Sequence, residues 1–145
     1  ERFFYPLNEE TNFKINQIFR KLTKNKKQSI KVLEIKGRTF TIKDYFEGIT
    51  KFDFNFLCNQ NIGAEDYIKI AEVCDFIVIE NIPKFNDENI NKQQRFITLI
   101  DILYEKKISL MASSFESLEN FGSSRALVAP FKRTLSRLYE LTSTS

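Results

Sequence analysis

The sequence predicts an α/β fold, with a mixed sheet made from an N-terminal strand-helix-hairpin part and a C-terminal parallel βαβ unit flanked by helices. Three observations carry this expectation. Ile15, Ile18, Phe19 and Leu22 recur at helical spacing. A stretch rich in β-branched residues, 29–42, is interrupted by the turn signal Lys36-Gly37-Arg38. A continuous apolar run, Phe76-Ile77-Val78-Ile79, and a second apolar run, 108–112, flank a long helical pattern; this is the layout of strands buried in one parallel sheet and joined by a right-handed crossover.

In chain order, Phe3-Phe4-Tyr5-Pro6-Leu7 reads as a first strand. Asn8 can cap the helix that follows, because its side-chain oxygen can accept from an unpaired N–H of the first turn. Glu9 and Glu10 at the start, and Lys21, Lys24, Lys26 and Lys27 towards the end, suit the helix dipole. Gly37 supplies the positive φ of a hairpin turn. Phe52-Asp53-Phe54-Asn55-Phe56 alternates at period two, and Asn61-Ile62-Gly63 leads into a short helix with Ala64, Tyr67, Ile68 and Ala71 on one face. A long helix is expected over 87–106, with Phe96, Leu99, Ile100 and Leu103 inward and Arg95, Thr98, Asp101 and Glu105 on the polar side. A short helix over 115–121, a Gly122-Ser123-Ser124 loop and a terminal helix over 130–141 complete the reading.

A chain of 145 residues with 42% hydrophobic and 28% charged residues can bury a core without disulfides or a structural metal. Its 22 basic against 19 acidic side chains are too balanced for an electrostatic nucleic-acid binder. No histidine is present, which removes Ser-His-Asp and Cys-His nucleophilic sites and the usual zinc sites; no metal ligand set and no catalytic group are expected. Cys58 and Cys74 sit among apolar residues and read as buried free thiols of a reducing compartment. No apolar run approaches the roughly 18 residues of a membrane span, and no signal-peptide layout opens the sequence, so a soluble cytoplasmic or organellar chain is expected. The sequence begins at Glu1 rather than at Met; it is expected to be one domain, or a fragment of something longer.

Chemistry-bearing groups are few. The strand ending in Glu80 and the later Ser113-Ser114 imitate the strand-end carboxylate and water-aligning polar residue of an ATPase site. A phosphate cradle needs G-x-x-x-x-G-K-[ST], and none of Gly37, Gly48, Gly63 and Gly122 begins or ends that pattern. An active nucleotide site within this chain alone is therefore not expected. On the terminal helix, Phe131, Leu135 and Leu138 form an apolar stripe, while Arg133 and Arg137 stand one turn apart with Glu140 close to Arg137. Like charges at that spacing repel unless an anion or a carboxylate lies between them. One reading is an arginine pair facing a phosphate or a neighbouring subunit's acid. The other, commoner for surface arginines, is salt bridging within the chain through Glu140 or carboxylates elsewhere.

Taken in order, Phe3 to Leu7, Gly37-Arg38, Phe52-Asp53-Phe54 with Leu57-Cys58, Asp66-Tyr67, Ile82-Pro83, Arg95-Phe96-Ile97-Thr98-Leu99-Ile100-Asp101 with Tyr104, and Phe131-Lys132-Arg133-Thr134-Leu135-Ser136-Arg137-Leu138 resemble the C-terminal half of the ZapE family, whose mitochondrial relatives are the lactation-elevated type ATPases. The resemblance spans almost the whole chain. It departs from the family at Gln94, where another Arg is common, and at Leu141, where Met is common. It implies an AAA-like P-loop ATPase with its nucleotide-binding motifs encoded upstream, so that Glu80 is not the acidic motif proper. It further implies ATP and Mg²⁺ as cofactors of the complete protein and none in this chain. The implied partners are the upstream ATPase core and division-ring or quality-control proteins, with an oligomer allowed; the implied location is cytoplasmic in bacteria and mitochondrial in eukaryotes. Arg133 and Arg137 become candidates for nucleotide sensing or a subunit interface, with Arg95 and Asp101 secondary. The alternative is a truncated or split-gene product acting as a non-catalytic interaction module.

Overall fold

The structure, a computed structural model, describes residues 1–58 and 61–143. Its elements run β1 (Phe3–Phe4), α1 (Glu9–Thr23), β2 (Gln28–Ile35), β3 (Arg38–Phe46), β4 (Ile49–Asp53), α2 (Phe54–Leu57), α3 (Ala64–Val73), β5 (Phe76–Ile82), α4 (Ile90–Glu105), β6 (Ser109–Ser114) and α5 (Val128–Thr142). The strands form one six-stranded mixed sheet in the order β1-β6-β5-β4-β3-β2. Neighbours from β1 to β4 are parallel, and β4-β3-β2 is antiparallel. The expected α/β fold, with its N-terminal hairpin and C-terminal βαβ unit, is the fold observed.

Period-two alternation decides which layer each strand residue joins. Ile77 and Ile79 of β5, with Leu110 and Ala112 of β6 and Phe52 of β4, enter a large core beneath α3, α4 and α5. Val78, Met111 and Ile49 point the other way, against Ile15 and Phe19 of α1. Asn8 caps α1 as expected, its Oδ1 accepting from the Thr11 N–H at 2.9 Å. Both hairpin turns place two consecutive residues at positive φ, Lys36 and Gly37 at 44° and 81° and Glu47 and Gly48 at 51° and 98°. That geometry matches the right-handed twist of the flanking strands. At Gly48 a side chain would also meet the Asp75 carboxylate at 2.7 Å.

Three local expectations are corrected. The period-two run at 52–56 is not one strand: β4 ends at Asp53, whose carboxylate accepts the Asn55 N–H at 2.9 Å and starts the single turn of α2. Phe54 and Leu57 then point inward while Phe56 lies outside, stacked on Phe52 at 5.9 Å. In α3 the inward residues are Asp66, Tyr67, Ile70 and Ala71, and Ala64 and Ile68 are exposed. The expected helix at 115–121 is only a short 3-10 turn, Leu118–Asn120, because Phe115 and the Gly122 loop are shaped by contacts outside the segment. Gly122 approaches the Phe85 carbonyl so closely that a Cβ would sit 2.7 Å from it.

Phe85 is the hub of the larger core. Its ring lies 5.7 Å from Phe54, 5.5 Å from Phe96, 5.9 Å from Phe121 and 5.5 Å from Phe131. It thereby fixes α4 against α5, the two helices that carry the candidate site. Cys58 and Cys74 are free and buried, and burial pushes both thiols up to about 12. Among the described residues no helix is long and apolar enough to cross a membrane.

Candidate functional site

The candidate site forms where the last two turns of α4 lie beside the middle of α5. A capping box starts this part of the chain: the Asn86 Oδ1 accepts from Glu88 N–H and the Asn89 Oδ1 accepts from Asn86 N–H, each at 2.8 Å. The leading turn carries Asp87 and Glu88, which suits its dipole. Phe96, Leu99, Ile100 and Leu103 are buried, so Asp101 and Tyr104, three residues apart, fall together on the flank of α4. On α5, Phe131, Thr134, Leu138 and Thr142 face the core. Arg133 and Arg137 are thus brought to the flank nearest α4.

Asp101 lies between them. Arg137 Nη1 donates to Asp101 Oδ1 at 2.6 Å, and Arg133 Nη2 stands 3.7 Å from Asp101 Oδ2. The Arg137 guanidinium also rests over the Tyr104 ring, 4.6 Å from its centre, a cation–π arrangement worth ~0.5–1 kcal/mol at exposed sites. Tyr104 in turn donates to the Glu140 carboxylate at 3.2 and 3.3 Å. The like-charge repulsion expected between Arg133 and Arg137 is therefore offset by a shared carboxylate, although it is Asp101 and not Glu140 that supplies it.

The two arginines are not equivalent. Arg137 is 27% exposed, paired with Asp101 and stacked on Tyr104, whereas the Arg133 side chain is 60% exposed and makes only the long contact to Asp101. Asp101, Tyr104, Glu105, Lys107, Arg133 and Arg137 line an open depression of about 490 Å³. Chemically, the site is one anchored guanidinium, one loosely paired and more exposed guanidinium, and the carboxylate they share.

Arg95 does not join this cluster. It lies two turns earlier on α4, where its Nη1 makes a 3.4 Å contact to the Asn91 carbonyl. The structure also joins two pieces that looked ordinary in the sequence: Arg38 from the β2–β3 turn and Asp66 at the start of α3 meet through two hydrogen bonds, of 2.7 and 2.9 Å. Asp66 is 1% exposed and also accepts the Gly63 N–H at 2.9 Å. Burial pushes its carboxyl upward, but the Arg38 hydrogen bonds, the Gly63 N–H and the Arg38 charge outweigh that and hold it below the ordinary carboxylate range. This pair clamps the hairpin to α3.

At the carboxyl end of the parallel strands, Glu80 is half-buried, with Lys51 Nζ 3.9 Å away. Burial raises its carboxyl, against the pull of Lys51. Beside it Asn81 adopts φ 65°, donates its N–H to Ser113 Oγ at 2.9 Å and its amide to Asp53 at 2.7 Å. Among the described residues no group of three or more His, Cys, Asp or Glu side chains could hold a metal ion. Gly37 and Gly48 occupy hairpin turns, Gly63 caps α3 with its N–H committed to Asp66, and Gly122 packs on Phe85.

Fold and site together define an α/β protein with a half-exposed arginine pair on its last helix. Residues 1–145 match the family of AFG1-like ATPases, and the chain belongs to that family. It is 31% identical over 113 residues to lactation elevated protein 1 homolog B of Danio rerio, covering 76% of this chain and 22% of that protein. It is 26% identical over 138 residues to cell division protein ZapE of Escherichia coli K12, covering 95% of this chain and 37% of that protein. The chain thus spans well under half the length of these relatives. No solved structure matches it significantly.

Proposed function

We propose that this chain is the C-terminal part of an ATP-hydrolysing AFG1-like protein, and that its arginine pair serves the ATPase while the phosphate cradle is supplied by residues outside these 145. The reading is supported by the convergence of Asp101 and Tyr104 with Arg133 and Arg137 in one cluster, four positions drawn from the two most specific stretches of the family resemblance. In it Asp101 and Tyr104 fix Arg137, and Arg133 is left to meet a nucleotide phosphate or the acid of a neighbouring subunit. Tightly bound ATP and Mg²⁺ belong to the complete protein. Its setting is cell division in a bacterial cytoplasm or protein quality control in mitochondria, with the upstream core as the chain's immediate partner.

The test is calorimetry with MgATP on the 145-residue chain and on a protein extended to include the upstream motifs. Turnover and tight binding only in the extended protein support the proposal. Micromolar ATP affinity in the 145-residue chain would overturn it.

A further inference from the structure

A second polar depression, of about 520 Å³, opens between α2 and the first turns of α4, away from the Asp101 cluster. Its lining is Asn55, Cys58, Glu88, Asn89, Asn91, Lys92 and Arg95. We propose that this depression binds a phosphorylated small molecule, with the phosphate held between Arg95 and Lys92 and the organic portion against the side-chain amides of Asn55 and Asn91.

Among the described residues, neither Lys92 nor Arg95 has a carboxylate within the 4.0 Å of an ion pair. Residues 59 and 60, which the structure does not describe, are Asn and Gln and add no charge. Among the described residues each cation makes one weak hydrogen bond, Lys92 Nζ to Asn55 Oδ1 at 3.3 Å and Arg95 Nη1 to the Asn91 carbonyl at 3.4 Å. Their charges reach the same floor, since both act to lower the thiol of Cys58, which burial nevertheless pushes up to about 12. A thiol held protonated is a neutral wall rather than a competing anion.

A guanidinium offers a planar fork of donors and an ammonium three more, so together they match a phosphate dianion in both charge and hydrogen bonding. One carboxylate, Glu88, against two cations leaves the lining with a net positive charge. The volume falls in the ~300–1,000 Å³ range of small-molecule pockets. It exceeds what an inorganic oxyanion fills, and the amides of Asn55 and Asn91 supply donors and acceptors for the remainder of the ligand, the Asn89 amide being committed to the Asn86 N–H and the Lys84 carbonyl. This inference is independent of the ATPase reading, since it concerns Arg95 and not the arginines of α5.

The test is an NMR titration of the 145-residue chain with inorganic phosphate, pyrophosphate and AMP, following backbone amides. Saturable shifts at 55, 88–89, 91–92 and 95, with a dissociation constant in the millimolar range, are expected, AMP binding more tightly than phosphate. Arg95→Gln and Lys92→Gln should each weaken binding at least about tenfold, a loss of ~1.4 kcal/mol, with Arg95→Lys intermediate and Lys132→Gln, at an exposed cation of α5, without effect. The amide spectrum itself reports whether each variant is folded. Non-saturating shifts, equal binding in the Arg95 and Lys92 variants, or shifts that map only to 133 and 137 would each overturn the proposal.

Discussion

The Arg137 guanidinium donates to the Asp101 carboxylate at 2.6 Å across the α4–α5 contact, joining side chains 36 positions apart in the sequence. Because Arg137 is also stacked on Tyr104, its truncation removes a charged hydrogen bond and a ring contact together. Arg137→Ala is expected to lower stability by about 1–2 kcal/mol, whereas Arg133→Ala, which loses only a long exposed contact, should stay within about 0.5 kcal/mol of the parent. Urea unfolding of the two variants measures the difference; equal losses would remove the distinction between the anchored and the loosely paired arginine.

The Arg38–Asp66 clamp gives a pH signature. Asp66 in the folded chain lies below its ordinary range, so the unfolded state binds the proton more readily. Its stabilising contribution is fully present above the unfolded value of about 3.9 and is lost as pH falls through the folded one. Asp66→Asn should cost about 2 kcal/mol at neutral pH. The gap between parent and variant should narrow when unfolding is measured near pH 3. A gap independent of pH would contradict the clamp.

Phe85 should be among the least replaceable side chains, because it touches Phe54, Phe96, Phe121 and Phe131 from a fully packed position. Phe85→Ala is expected to cost ~3–5 kcal/mol through lost burial and a residual cavity. Thermal unfolding followed by circular dichroism would show it. A loss no larger than that of an exposed aromatic such as Tyr139 would refute the hub.

Cys58 and Cys74 should be inert in the folded protein. Burial holds both thiols protonated, each pushed up to about 12, and only the thiolate attacks a disulfide reagent. At pH 8, modification by an aromatic disulfide reagent should be slow in buffer and fast for both thiols in urea. Rapid labelling of either one in buffer would mean that its pocket opens without unfolding.

Much of the fold was legible because its signals are local. Asn8 before two glutamates, Lys36-Gly37 between β-branched runs and two apolar strands around an amphipathic helix each specify their own conformation. Errors arose where a local signal met a competing one. Asp53 caps a helical turn and so ends the alternation of 52–56. Ile68 of α3 is exposed although apolar, because the inward face is set by Tyr67, Ile70 and Ala71. The site was legible only in part. Arg133 and Arg137 stood out as a like-charged pair needing an anion, but which carboxylate supplies it is a tertiary fact. Asp101 and Tyr104, on one face of their helix, were the available clue. Nothing local tied Arg38 to Asp66, or Lys92 to Asn55.

The most direct test of the proposal that the α5 arginines serve the ATPase is turnover of the complete protein carrying Arg133→Ala, Arg137→Ala or Lys132→Ala, the last an exposed cation on the same helix and outside the cluster. Each arginine variant is expected to lower kcat by at least about tenfold, ~1.4 kcal/mol in the barrier, with Lys132→Ala near the parent and Arg133→Ala as stable as the parent. Equal turnover in all three variants would contradict the account.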